Sequence, residues 1–172
     1  MEESNNFLLK LAYNNLRKRA SKILIQVQYI PWEKTDKISF LFDATDEDIS
    51  YFVRKKAQEF AEEGKKIEIL GFGGKKGELI FDFPVFYKAK VGSFVPQGDT
   101  IDIFIARDAD ILFVLAYKKI YEIDYILALS QAKLKIATDT YEEFADIVFK
   151  VKDNTLESFI DKALEFTKNI KS

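Results

Sequence analysis

The stretch "KISFLFDATDEDISYFVRKKAQEFAEEGKKIEILGF", Lys37 to Phe72, decides the fold. Its first part, Lys37 to Asp43, has the length and apolar composition of a buried strand, and "DATDED" then turns the chain. In "DISYFVRKKAQEFAEEGKK" the residues Ile49, Phe52, Val53, Ala57, Phe60 and Ala61 recur at helical spacing. Thr45, with Asp48 three residues on, approximates a capping box, and Gly64 suits the position just past the helix end. "KIEILGF" reads as a second strand. Strand, helix, strand predicts a βαβ unit with a right-handed crossover and two parallel strands.

The alternation continues outward from this unit. "DFPVFYK" reads as a short strand inside a glycine-rich middle, residues 72–100. "DTIDIFIA" is open to two readings, a short helix from Asp99 or Thr100 to about Arg107 or a strand. Ile111 to Ala116 reads as a strand, "YEIDYILALSQAK" as a helix, "LKIAT" and "ADIVFKV" as strands. "NTLESFIDKALEFTKNI" closes the chain as a helix, with Asn154 or Thr155 at its N-cap. Apolar strands alternating with helices predict a single Rossmann-like three-layer α/β domain with a mostly parallel sheet, residues 31–172.

Ahead of it, residues 1–30 form a basic arm. Phe7, Leu8, Leu11, Ala12 and Leu16 give an amphipathic N-terminal helix, and Arg17, Lys18 and Arg19 at its end complement the helix dipole. Lys10, Arg17, Lys18, Arg19 and Lys22 against Glu2 and Glu3 leave this arm at +3 and the remaining residues at −5. Such an arm suits contact with a protein, the ribosome or an anionic membrane surface. In that role Phe7 and Leu11 anchor a partner, while Lys10, Arg17, Lys18 and Arg19 steer it.

The chain has no Cys and no His, which excludes Ser-His and Cys-His nucleophilic catalysis, disulfides and ordinary zinc sites. A metal would be a hard cation on carboxylates, magnesium above all, and no other cofactor is expected. A general base would be Asp, Glu, Lys or Tyr. The N-terminus lacks the features of a signal peptide, and the longest apolar run, Ile111 to Tyr117, is too short to span a bilayer. A cytoplasmic location is therefore expected.

Two loops invite a functional reading. "LGFGGKKGEL", Leu70 to Leu79, brings four glycines and two lysines at the end of a strand, but it fits neither the Walker spacing nor the dinucleotide fingerprint, and "ELIFDFP" after it lacks helical period. A surface turn is the expectation there. The acids after the first strand, Asp43, Asp46, Glu47 and Asp48, stand at the sheet edge where α/β domains bind ligands, and can serve as magnesium ligands or as helix-capping groups. Asp139, after "LKIAT", joins Asp43 if the two strands are neighbours. The aromatic residues Phe81, Phe83, Phe86, Tyr87 and Phe94 suit either a stacking platform or core packing.

Over the Lys37–Phe72 stretch, "FPVFYKA", "DADILFVLAY", "IDYILALSQAKLKIA" and "TLESFIDKALEFT" the chain resembles an uncharacterised family of short α/β proteins of bacteroidete bacteria, a domain of unknown function. The resemblance lies in packing patterns and implies no activity, cofactor or residue roles. A weaker likeness, a strand, a helix and "AK" before a short apolar strand, is to one Rossmann-like half of the nucleotide-sugar-dependent heptosyltransferases. It implies shared architecture only. Two functional classes remain, an interaction or adaptor domain of a bacterial cytoplasm and a small module or magnesium-dependent enzyme taking a nucleotide or sugar phosphate.

Overall fold

The predicted strands line up as six in one parallel sheet in the computed structural model of the chain, which describes residues 2–90, 93–150 and 155–170, with side chains from Asn6 onward. The strands are β1 (Lys37–Asp43), β2 (Lys66–Phe72), β3 (Val85–Phe86), β4 (Ile111–Leu115), β5 (Lys135–Thr138) and β6 (Ile147–Phe149). Their order across the sheet is β3-β2-β1-β4-β5-β6, and every pairing is parallel. The helices are α1 (Glu2–Ala20), α2 (Glu47–Glu62), α3 (Asp99–Ala106), α4 (Tyr121–Leu129) and α5 (Leu156–Lys168).

Strand alternation sorts the core into two layers. Ile38, Phe40 and Phe42 of β1 and Ile111, Phe113 and Leu115 of β4 meet Val53 and Phe60 of α2 and Phe159 and Ile160 of α5. Leu41, Leu112 and Val114 face the other way, toward Leu16, Ile101, Phe104, Ile123 and Leu127. A strand buried on both faces carries no polar alternation, which explains the near-continuous apolar runs of β1 and β4.

The βαβ unit forms as its sequence predicts, with Lys37 to Asp43 registered against Lys66 to Phe72. Gly64, at φ 86°, ends α2 in a Schellman turn, its amide bonding to the Ala61 carbonyl and that of Lys65 to the Phe60 carbonyl. At the other end the cap is Asp46, one residue beyond Thr45, and its carboxylate accepts from the Asp48 and Ile49 amides. Gly71 lies where the sheet meets the β1–α2 turn, and a Cβ there would stand 2.7 Å from that of Ala44.

Of the two readings of "DTIDIFIA", the helix forms. Ile101 and Phe104, three residues apart, are buried while Ile103 is half exposed, whereas a strand would put Ile101 and Ile103 on one face and Phe104 on the other. α4 stops at Leu129, short of "SQAK", because Ser130 turns out of the helix and Gln131 and Lys133 donate to the Ile105 and Ala109 carbonyls. Thr155 caps α5 by accepting from Ser158; Asn154 and Val151 lie outside the described residues.

α1 lies along α4. Leu16 and Ala12 are buried, and the Tyr13 and Tyr121 rings meet edge to face at 4.9 Å. Among the described residues no helix is long and apolar enough to cross a membrane.

Candidate functional site

Strand connections move outward from β1 to β3 on one side and from β4 to β6 on the other, so the order reverses between β1 and β4. At such a switch point the loops beyond the two carboxyl ends part and leave a crevice. Here that crevice is a cleft of about 410 Å³, lined from one side by Asp43, Thr45, Asp46, Glu47 and Asp48 and from the other by Tyr117 and Lys118.

Asp43 ends β1 and is nearly buried. Its Oδ1 accepts from the Thr45 amide at 3.0 Å and the Thr45 hydroxyl at 2.6 Å. Oδ2 makes no hydrogen bond among the described residues. Asp46 is spent on capping α2. Asp48 is exposed in the first turn of the same helix, where an acid favours the dipole. Among the described residues no three such side chains gather so as to hold a metal ion.

The opposite wall is the loop from Ala116 to Ile120, and it is pinned from beneath. The buried Tyr141 hydroxyl donates to the Lys118 carbonyl at 2.5 Å and accepts from the Ile120 amide at 3.2 Å. Burial pushes that hydroxyl well above its ordinary range, so it stays a proton donor. Next to it Lys119 reaches the Asp124 carboxylate at 2.8 Å and the Thr140 carbonyl at 2.9 Å, and stands 4.9 Å over the Tyr141 ring. Asp124 is wholly buried and also accepts from the Tyr13 hydroxyl of α1 at 2.6 Å. Burial raises its pKa despite both partners.

Asp139 follows β5 at the same edge, but β4 separates β5 from β1, so the two strands are not neighbours. On α1, Arg17 pairs with Glu143 and bonds Asn14, and Arg19 donates to the Tyr125 hydroxyl at 2.6 Å. Lys10 and Lys18 are exposed, as are Phe7 and Leu11. The aromatic residues of the middle segment pack, tilted or edge to face, against one another and the core: Phe83 against Phe42 and Phe81, Phe86 against Phe72, Phe94 against Tyr121.

The sequence profile of a family of unknown function, DUF6913, matches residues 6–170, nearly the whole chain. The chain belongs to the DUF6913 family. Among curated proteins and among solved structures, nothing matches it. The functional reading of this DUF6913 chain therefore rests on its own geometry. Sequence reasoning reached Asp43 because it ends an apolar strand, and missed Tyr117, Lys118 and Tyr141. "AYKKIYE" and "TDTYEE" contain no motif, and only the strand order brings them to the cleft.

Proposed function

We propose that this chain is a small-ligand-binding module whose site is the switch-point cleft, taking a nucleotide or sugar phosphate. The observation that carries the reading is the coincidence of the strand-order reversal with an open cleft whose walls hold opposite charges. The free oxygen of Asp43, with Glu47 beside it, suits ligand hydroxyls, and Lys118 suits a phosphate. With few carboxylates free, magnesium would come in on the ligand's phosphates, with Asp43 supplying a protein oxygen. The reading assigns binding and no reaction.

The test is a thermal-shift series with magnesium and ATP, magnesium and UDP-glucose, and glucose 6-phosphate. A ligand at a hundred times its Kd stabilises by about 2.7 kcal/mol, several degrees for a chain of this size. Asp43→Asn keeps one carbonyl oxygen for Thr45 and so preserves the turn, and it abolishes the shift, as does Lys118→Ala. No shift with any probe, or a shift that survives in both variants, overturns the reading.

A second reading concerns α1. Phe7 is 63% exposed, Leu8 42% and Leu11 44%, on a helix whose second half is docked. This apolar ridge, with Lys10 beside it, is the part of α1 that suits a protein partner, since Arg17 and Arg19 are engaged within the chain. Pull-down with Phe7→Glu plus Leu11→Glu loses such a partner at unchanged melting temperature; retention of every partner excludes it.

A further inference from the structure

A second cleft, of about 440 Å³, opens where β3 leaves the sheet and the chain returns to α3. Three lysines line it, Lys76 from the glycine-rich turn and Lys88 and Lys90 from the segment after β3. None of the three pairs with a carboxylate among the described residues, whereas Lys75, next to Lys76, pairs with Glu78. The same cleft is lined by Phe86 and Ile101, both buried on one face of the sheet, and by Val95. Single solvated lysines need no explanation. Three that share one cleft repel one another, and their joint placement over an apolar floor is what an anion with an apolar body requires.

The fold fixes this arrangement. The Ala89 amide, between Lys88 and Lys90, donates at 3.0 Å to the carboxylate of Glu122, a buried residue of α4. The Lys88 amide donates to the Gly74 carbonyl at 2.8 Å, which ties the glycine-rich turn to the same segment. Gly74, at φ 69°, and Gly77, at φ 90°, then let the turn carry Lys76 back toward the cleft. The turn thus places the Lys76 side chain at the cleft.

We propose that this cleft binds a small phosphate or carboxylate bearing an aromatic or short aliphatic body, the anionic group among Lys76, Lys88 and Lys90 and the body on Phe86, Val95 and Ile101. The site is separate from the switch-point cleft, which shares no lining residue with it.

The full chain, labelled with nitrogen-15, is titrated with phenyl phosphate, inorganic phosphate and phenol. Phenyl phosphate is expected to shift the amides of Tyr87 to Lys90 and of Thr100 and Ile101, binding at least tenfold more tightly than either fragment. All three lysines are exposed, so Lys→Gln leaves the fold intact; each single change weakens binding several-fold and the triple change removes it. Raising salt from 50 to 500 mM weakens it as well. Asp43→Asn leaves it unchanged, which separates this site from the one proposed above. Absence of shifts, equal affinity for inorganic phosphate, or a titration that survives the triple change overturns the proposal.

Discussion

The two edges of the sheet differ in how completely their charges are paired. At the amino edge each acid meets a partner: Lys37 with Asp108 at 2.8 Å, Lys66 with Asp36 at 2.8 Å, Arg107 with Glu68 at 3.3 Å and Lys133 with Asp110 at 2.7 Å. Asp110 goes further, its Oδ2 accepting from the Asp36 and Lys37 amides. Among the described residues, at the carboxyl edge Asp43 keeps one oxygen unbonded, Lys118 meets no carboxylate, and Thr138 holds the one buried side-chain polar atom that lacks a partner. Saturated polar groups stabilise a fold and have nothing left to offer a ligand. Unsaturated ones cost stability and stay available, and the ligand site proposed above lies at the carboxyl edge, where they are found.

The largest expected effect tests the saturated edge. Asp110→Ala strips two backbone amides of their acceptor and leaves Lys133 unpaired, for a loss of about 3 kcal/mol by denaturant unfolding. Asp43→Asn, at the other edge, is expected to cost under about 1 kcal/mol. Equal losses would break the comparison. Gly71→Ala follows at about 2 kcal/mol, because the added Cβ meets Ala44 at 2.7 Å and the rings of Phe83 and Phe42 just beyond. That loss shows how tightly the floor under the β1–α2 turn is packed.

The same contrast has a pH signature. Burial acts to raise the Asp110 carboxyl, but the Lys133 ammonium and the two amides outweigh it and hold the pKa below the usual carboxylate range. The folded pKa then lies below the unfolded one of about 3.9, so the unfolded chain binds more protons between the two values. This contribution is present above pH 4 and is lost as pH falls through the lower, folded pKa. Melting temperatures at pH 5, 4 and 3 at fixed ionic strength should show the fall. Asp110→Asn should flatten it, and an unchanged slope would mean that other acids carry it.

What could be read from the sequence divides along similar lines. β1 and β2 were legible as short apolar runs of strand length, and α2 by its helical period and its stop at Gly64. Position across the sheet was not, since strand order depends on pairings between distant residues such as Phe40 with Phe113. Asp43 could be singled out from its place at a strand end, while Lys118 and Tyr141, 23 residues apart, become one wall only after folding. β3 was faint because it is two residues long and its crossover from β2 has no helix. The lysine cleft was hidden for the same reason, joining Lys76 to Lys88 and Lys90 across that irregular crossover.

The smallest stability effect carries the sharpest functional contrast. Tyr141→Phe removes the hydroxyl that holds the Lys118 carbonyl and the Ile120 amide, yet leaves the ring in the core under Lys119. Its cost is about 1 kcal/mol, since the two hydrogen bonds lost are neutral and the freed carbonyl and amide belong to a surface loop that water can reach. Lys118→Ala, an exposed residue, stays within about 0.5 kcal/mol of the parent. If the carboxyl edge is the working one, both changes weaken ligand binding at the switch point far beyond their effect on melting. Tyr141→Phe does so by loosening the wall, which shows as faster amide exchange from Tyr117 to Ile120; Lys118→Ala does so by removing a charge, which leaves exchange unchanged and lowers the salt dependence of binding. Binding that tracks melting in both variants would mean that this edge, like the other, serves stability alone.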